Sequence, residues 1–165
     1  MSDRSVLKAA RVKAGEAVLD IGCGPGHLTV SAARRAGANA HVAGIDPSPE
    51  MIDAARKKGV RNDVRLDLQV ASASALPFGD ESFDVVVSRL AWHHIEDSLK
   101  DGALREMKRV LKLGGRAVLV DVRFGRVDVR RAPWAFPEHG FRVAKRGTLG
   151  LFLSYVILTP APAGL

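Results

Sequence analysis

The sequence predicts a doubly wound α/β fold with a mostly parallel β-sheet and an antiparallel C-terminal hairpin. Three observations predict it. Five short apolar runs alternate with segments of helical periodicity, as parallel strands joined by helices do. The fourth run, Phe83–Ser88, is almost continuous in valine, as expected for a strand covered on both faces. Two further β-type runs flank a turn at Gly147–Gly150, which predicts a hairpin at the sheet edge.

Each element has its own signal in the sequence. The predicted parallel strands are Ala17–Ile21, Ala40–Asp46, Val64–Val70, Phe83–Ser88 and Arg116–Val122. The predicted helices are Ser5–Val12, His27–Gly37, a helix that Ser48 caps, and Ser98–Leu113, which Gly114 and Gly115 close. The hairpin strands are Phe141–Arg146 and Leu151–Leu158, and Pro160–Gly164 is expected to be a frayed tail. Little helical periodicity is present in 123–140, so a helix there is expected to be short or missing.

Composition restricts the class of protein. The 165 residues predict a single domain, 1–165, and 47% apolar with 26% charged residues argues against disorder. The lone Cys23 excludes a disulfide framework, and no His, Asp or Glu cluster has the spacing of a metal site, so no metal is expected. No apolar run reaches the roughly 18 residues that span a bilayer, and no signal peptide is evident, so a cytoplasmic protein without membrane contact is expected.

The net charge of +7 is concentrated in one region of the sequence. Residues 105–147 hold 12 basic and 4 acidic side chains. Basic residues of the last predicted helix and of the edge hairpin need no partner: Arg105, Lys108, Arg109, Lys112, Arg142, Lys145 and Arg146. Four others follow the fifth strand and are expected to border a substrate mouth: Arg123, Arg126, Arg130 and Arg131. They favour an anionic acceptor or a docking partner over a broad nucleic-acid surface.

The segment Asp20-Ile21-Gly22-Cys23-Gly24-Pro25-Gly26-His27 links the first strand to a helix. Glycines at such a turn allow a ligand to approach the backbone, and the helix N-terminus directs amide groups at it. The third glycine falls at 26, and His27 stands where a dinucleotide fingerprint expects glycine. Asp46 ends the second strand, where a carboxylate can accept hydrogen bonds from both hydroxyls of a ribose. Met51 can pack on a purine or fill the core.

Four blocks in register carry a family resemblance: Val18–Thr29, Gly44–Ala55, Leu76–Ser88 with Trp92–Ile95, and Leu104–Asp121. With them the sequence resembles class I S-adenosylmethionine-dependent methyltransferases of the ubiquinone/menaquinone-biosynthesis, methyltransferase type 11 kind. The resemblance implies a Rossmann-like sheet of seven strands in the order 3-2-1-4-5-7-6. It also implies S-adenosylmethionine as the cofactor, S-adenosylhomocysteine as the product, and methyl transfer by in-line displacement.

The resemblance assigns residues to the cofactor: Asp20, Gly22, Cys23, Gly24, His27, Asp46, Pro47, Met51, Ser72, Ala73 and Arg89. In this assignment the glycine loop lines the methionine part, Asp20 orients that loop, and Asp46 holds the ribose. The Ala73 amide faces the edge of adenine and Met51 its face. The backbone of Arg89 and Leu90 lies near the methionine ammonium.

Two departures from the family pattern carry expectations. Ser72 stands where relatives usually have an acidic residue for the adenine amino group, so weaker cofactor binding is expected. The chain also has few residues before the first strand and reads as a nearly bare core. A partner chain or a second copy is therefore a possible cover for an open site.

His93 and His94 lie on the substrate side in this assignment, as candidates for a general base. The alternative is that both merely pack against the strand end, and neither residue is preferred. Trp92 either walls the site or belongs to the core, and Asp121 can contact substrate from the end of the fifth strand.

The function predicted is methyl transfer to a small-molecule acceptor. One alternative is an RNA or protein methyltransferase that uses the basic segment 123–131, with Phe124, Trp134, Phe136 and Phe141 as stacking aromatics. Nucleic acid is possible but not favoured. The other alternative is a cofactor-binding partner subunit without activity.

Overall fold

A computed structural model describes residues 2–123 and 136–161. Its helices are α1 (Asp3–Ala9), α2 (His27–Ala36), α3 (Pro49–Arg61) and α4 (Asp97–Val110), with one 3₁₀ turn at Trp92–His94. Its strands are β1 (Val18–Ile21), β2 (Val42–Asp46), β3 (Asp67–Val70), β4 (Phe83–Arg89), β5 (Leu111–Val122), β6 (Phe141–Leu149) and β7 (Leu153–Pro160). Among these helices, none combines the length and apolarity that crossing a bilayer requires.

The strands form one seven-stranded sheet in the order β3-β2-β1-β4-β5-β7-β6. The first five strands of that order are parallel, and β7 pairs antiparallel with both β5 and β6. The predicted fold class, strand order and C-terminal hairpin are confirmed. The order reverses between β1 and β4, which is where open α/β sheets bind ligands.

Helices cover both faces of the sheet. One apolar cluster joins α1 and α2 to alternate residues of the strands, among them Val18, Val85 and Val118. The other joins α4 to the opposite residues, among them Leu19, Val86 and Leu119. The central strands are therefore apolar on both faces, which explains their near-continuous runs of valine and leucine.

The junction of α4 and β5 differs from the prediction. The helix ends at Val110 instead of Leu113, and Leu111 is already extended (ψ 130°), buried, and paired with Phe83 of β4. Lys112 is consequently a strand residue, and its Nζ lies 2.9 Å from Asp84 Oδ2. The buried site for Leu111 outweighs the helical periodicity that continues through this segment.

The hairpin turn lies three residues later than predicted, because β6 continues through Gly147 to Leu149. A Cβ at Gly147 would lie 2.6 Å from the ring of Tyr155 on β7. Glycine here makes room for an aromatic ring across the strand pair, and it does not form the turn. Pro160 belongs to β7 and pairs with Phe141.

Two smaller differences concern element ends. The helix predicted at Ser5–Val12 is α1, Asp3–Ala9. The third strand starts at Asp67 because the Val64 amide donates to Gly59 O (3.2 Å) and closes the end of α3. Residues 124–135 and 162–165 lie outside the described residues, and so do the predictions for Arg126, Arg130, Arg131, Phe124, Trp134 and most of the tail.

Candidate functional site

A cavity of about 640 Å³ lies at the carboxyl ends of β1, β2, β3 and β4. Its volume is in the range of small-molecule sites. The segments that follow these four strands form its walls: Ile21–Pro25, Ile45–Pro47 with Met51, Ser72–Ala73, and Arg89–Ala91 with His94, Ile95, Glu96 and Leu99. Ten predicted site residues therefore meet in one place: Gly22, Cys23, Gly24, Asp46, Pro47, Met51, Ser72, Ala73, Arg89 and His94.

The loop after β1 is fixed by its own backbone. The amides of Gly22 and Cys23 both donate to Ile45 O at 2.9 Å, and the Gly24 amide donates to Asp46 Oδ2 at 2.9 Å. The loop amides are thus used inside the protein and are not free for an anion, contrary to the expectation from the glycine pattern. What the loop offers a ligand is close backbone approach, which suits a cationic ammonium better than a phosphate.

Gly22 has no room for a side chain. Its φ is +71°, and a Cβ would lie 2.3 Å from Ala91 Cβ across the cavity floor. We expect Gly22→Ala to destabilise the fold by about 2–4 kcal/mol, from backbone strain plus overpacking, and to distort the cavity. Urea unfolding measures the stability change.

Gly15→Ala is the matched control for this prediction. Gly15 has φ +82°, but a Cβ there meets nothing within 4 Å. It should lose only the left-handed backbone preference, about 1–2 kcal/mol. Equal losses in the two variants would contradict the close Gly22–Ala91 contact.

Asp46 joins two ligand-facing loops. Its Oδ2 accepts from the Gly24 amide (2.9 Å) and its Oδ1 from the Ser48 amide (3.0 Å). A carboxylate has about four lone-pair sites, so each oxygen keeps one for a further donor. The Ser48 hydroxyl in turn accepts from the Met51 amide and caps α3, as predicted. The side chain is both a clamp for the loops and an acceptor toward the cavity.

Three large apolar side chains line the cavity without being covered. Met51, Leu90 and Leu99 are 39%, 40% and 41% exposed. Leu90 also has a positive φ of +55°, and its amide donates to Val120 O at 2.8 Å. Strain at a non-glycine residue and exposed apolar area are both features of ligand sites. The exposed apolar side chains suit a flat heterocycle.

Asp20 lies beneath the loop, fully buried, and accepts a 2.7 Å hydrogen bond from the Thr29 hydroxyl of α2. The family resemblance assigns Asp20 to orienting the loop, and the hydrogen bond it forms here ties β1 to α2. Burial raises the pKa of Asp20 to about 6, against the opposing effects of Thr29 and Arg89. Burial also raises the pKa of the Cys23 thiol, which is therefore no nucleophile at neutral pH.

The raised pKa of Asp20 makes stability depend on pH. Between about pH 4 and pH 6 the folded state holds a proton that the unfolded state has lost, so folding stability falls as pH rises through this window. We expect Asp20→Asn to remove this fall. The unfolding free energy of the variant, relative to that of wild type, should therefore rise by up to about 3 kcal/mol between pH 4 and pH 7. Urea unfolding at each pH measures it.

Asp53→Asn is the control, because Asp53 is an exposed carboxylate paired with Arg56. Its difference from wild type should change little over the same range. A pH-independent difference for Asp20→Asn would show that Asp20 titrates normally.

His94 lines the cavity, and His93 lies behind it. The two rings are 3.9 Å apart between centroids, tilted by 42°. His93 Nδ1 lies 2.7 Å from Asp121 Oδ1, and the His93 and Val122 amides donate to the same carboxylate at 3.0 and 2.7 Å. Asp121 is completely buried, so it holds His93 and does not contact substrate as was considered. A carboxylate accepts only, so His93 Nδ1 is the donor.

The chain also matches a model of a known protein family. The model described as "Methyltransferase domain" matches residues 18–115, which is more than half of the chain. The chain belongs to the methyltransferase domain family. The resemblance seen in the four sequence blocks is confirmed, and with it S-adenosylmethionine as the cofactor of the family.

Curated relatives of this methyltransferase domain are longer proteins. An uncharacterized methyltransferase of Bacillus subtilis, YcgJ, is 39% identical over 120 residues, 70% of this chain and 44% of the relative. A ubiquinone/menaquinone biosynthesis C-methyltransferase of Xylella fastidiosa is 34% identical over 145 residues, 87% of this chain and 56% of the relative. The chain thus spans about half the length of the curated relatives it matches.

Solved structures confirm the fold of the methyltransferase domain. An S-adenosylmethionine-dependent methyltransferase from Aquifex aeolicus has a TM-score of 0.82 at 22% identity, covering 94% of this chain and 88% of that chain. The YcgJ structure from Bacillus subtilis has a TM-score of 0.79 at 21% identity and covers 98% of both chains.

Some predicted residues of the methyltransferase domain lie outside the cavity. His27 is exposed at the start of α2, with its ring nitrogens 3.1 and 3.3 Å from Lys58 Nζ, so it does not line the site. His93 does not line the cavity, because its ring is hydrogen-bonded to the buried Asp121. Trp92 is fully buried and belongs to the core. Arg89 lines the cavity, while its guanidinium pairs with Asp3 of α1.

One wall of the cavity was not predicted from the sequence. Ile95 and Glu96 lie between the 3₁₀ turn and α4, and Leu99 lies in the first turn of α4. The apolar spacing of Ile95 and Leu99 was visible, but helical periodicity alone does not separate a core face from a cavity face. No group of three or more His, Cys, Asp or Glu side chains within 2–123 and 136–161 is placed to hold a metal ion.

Among the described residues of the basic region, Arg109 has a structural role. Arg109 Nη2 and Nε donate to Glu106, and Nη1 donates to Asp80 Oδ1 and Phe78 O, which fastens the loop after β3 to α4. Phe136 and Phe141 are buried in the core and cannot act as stacking platforms. Arg123 is not a cavity residue, and its Nη1 faces Leu151 O at 3.5 Å.

Proposed function

We propose that the chain transfers the methyl group of S-adenosylmethionine to a small-molecule acceptor. The observation that carries the proposal is one cavity that holds both the Asp46 carboxylate and the His94 imidazole. The first suits a ribose and the second suits an acceptor that must lose a proton. Three features of the cavity fit S-adenosylmethionine: the close backbone at Gly22, the exposed apolar side chains, and the lone pairs that remain on the Asp46 carboxylate.

The cofactor supplies a methyl group already activated on a positively charged sulfur. The protein therefore has to provide alignment and exclusion of water. Asp46 would hold the ribose, Met51 and Leu99 would cover the faces of the base, and the backbone at Gly22 and Leu90 would border the methionine part. The network from Gly24 to Asp46 to Ser48 keeps these parts in fixed positions.

His94 would act as the general base. It is the imidazole that lines the cavity, and His93 stacks on it from behind. The buried Asp121 carboxylate compensates the positive charge that the histidine pair gains on taking a proton. We therefore assign different roles to the two histidines. His94 faces the acceptor, and His93 positions the His94 ring.

The cavity favours an apolar acceptor with an acidic hydroxyl. Leu90 and Ile95 line the same cavity as His94 and present apolar side chains. Relatives at 33–34% identity are named for demethylmenaquinone and for ubiquinone/menaquinone C-methylation. We propose a hydroquinone-type aromatic, whose ring carbon becomes nucleophilic when its hydroxyl is deprotonated.

The test is methyl transfer from S-adenosyl-[methyl-³H]methionine to 1,4-dihydroxynaphthalene under reducing conditions, read by mass spectrometry. We expect a singly methylated product. The matched control is 1,4-dimethoxynaphthalene, which has no hydroxyl proton to lose and should stay unmodified. Label transferred to RNA or protein and to no hydroxyaromatic would contradict the proposal.

The fold alone does not establish this chemistry. A [4+2]-cyclase, SpnF, has the same fold with a TM-score of 0.82 at 18% identity. The His94 imidazole in the cavity supports a proton-transfer function over cofactor binding alone. A cover for the open cavity, by a partner chain or a second copy, is part of the same proposal.

A further inference from the structure

One side of α4 runs alongside the segment after β3. Gly102 packs on Ser74, where a Cβ would come within 3.0 Å of Ser74 Cβ. One turn further, Glu106 Oε2 accepts from the Leu76 amide (2.7 Å), and Arg109 then donates to Phe78 O (2.8 Å). Helix and segment advance in the same direction.

This alignment places the start of α4 beside the start of that segment. Leu99 is one turn before Gly102 on the same helix face, and Glu96 is the N-cap residue that directly precedes α4. In that segment, Ser72 and Ala73 directly precede Ser74. Glu96, Leu99, Ser72 and Ala73 all line the cavity, as the alignment requires.

The Glu96 carboxylate is uncommitted. It does not cap α4, and it forms no hydrogen bond or ion pair with any residue in 2–123 or 136–161. Other acceptors at this end already have partners: Ser72 Oγ is hydrogen-bonded to Ser74 Oγ (2.9 Å) and Ser74 N (3.3 Å), and each Asp46 oxygen accepts one amide and keeps only the lone pair assigned to the ribose. The Ala73 amide donates to none of the described residues.

We infer that Glu96 reads the base of the cofactor beside the Ala73 amide, which the family resemblance already assigns to the edge of adenine, and that Glu96 accepts from the exocyclic amino group. A donor beside an acceptor matches adenine, which presents an acceptor at N1 and a donor at N6. Hypoxanthine presents the opposite pair, N1–H and O6. The carboxylate that the base requires thus comes from α4, while the position after β3 holds the neutral Ser72. This inference rests on S-adenosylmethionine being the cofactor of the proposed function.

The experiment compares S-adenosylhomocysteine with S-inosylhomocysteine by calorimetry. Wild type should prefer the adenine ligand by about 10–100-fold, the range of one hydrogen bond to a charged group. Glu96→Gln should weaken S-adenosylhomocysteine about tenfold and reduce the preference to within about threefold, because a glutamine amide can donate to O6. Glu96→Ala should weaken the adenine ligand without rescuing the inosine ligand.

Asp97→Asn is the matched control. Asp97 carries the same charge at the same helix end, pairs with Lys100, and does not line the cavity. It should leave both affinities unchanged. If Glu96→Gln keeps full affinity for S-adenosylhomocysteine and the same preference for the adenine ligand, the inference is overturned while the cofactor assignment stands. This outcome includes the case in which Glu96 faces the acceptor and its substitution lowers only the rate of methyl transfer. Absence of S-adenosylhomocysteine binding to wild type would overturn both.

Discussion

Asp46→Ala is expected to weaken binding of S-adenosylhomocysteine by about 100-fold or more. If Asp46 holds the ribose as proposed, the substitution removes two charge-assisted hydrogen bonds, each worth about 1.5–3 kcal/mol. It also releases the Gly24 and Ser48 amides, which the carboxylate holds at 2.9 and 3.0 Å. The loops after β1 and β2 then lose their common anchor. Isothermal titration calorimetry measures the affinity.

Asp67→Ala is the control for the loss of an acidic residue in the same sheet. Asp67 lies on β3, pairs with His41, and does not line the cavity. Its affinity should equal that of wild type. Far-ultraviolet circular dichroism of both variants checks that the sheet is intact. An Asp46→Ala affinity within threefold of wild type would refute the ribose assignment.

His94→Gln is expected to lower kcat for 1,4-dihydroxynaphthalene by about 10²–10⁴-fold, the usual contribution of a positioned base. The affinity for S-adenosylhomocysteine should change little, because the neighbouring cavity walls remain in place. Asp121→Asn should lower kcat less and alter its pH profile, because it changes the environment of His93 while His94 remains. Initial rates over pH 6–9 measure both variants.

His27→Gln is the matched histidine control. It lies on the exposed start of α2, outside the cavity, so its rates should equal those of wild type. Unchanged kcat in His94→Gln would show that the acceptor needs no base from this chain. The histidine pair would then serve only to shape the cavity.

Most of the site could be predicted from the sequence because it is local to strand ends. Gly22, Asp46, Ala73 and Arg89 each follow or end a parallel strand, and parallel strands bring their carboxyl ends to one edge. The hairpin followed from the two β-type runs around the glycine turn, whereas the strand order followed from the family resemblance. The positions of His27 and His93 could not be predicted, because they depend on contacts distant in sequence, with Lys58 and Asp121.

The boundaries that differ have packing causes. Leu111 leaves the helical pattern because it is buried in a strand position paired with Phe83. Gly147 remains in β6 because a side chain at this position would overlap the Tyr155 ring. Periodicity reports local preference and carries no information on either partner. The Glu96 wall was missed for a related reason: only the alignment of α4 with the segment after β3 shows which helix face meets the cavity.

The central claim is that this cavity binds S-adenosylmethionine. Calorimetric titration of the wild-type chain with S-adenosylhomocysteine tests it most directly, since neither an acceptor nor turnover is needed. One site per chain is expected, with Kd on the order of 1–100 µM, typical of enzyme ligands. The absence of binding at about 1 mM ligand, with the sheet folded, would contradict the claim.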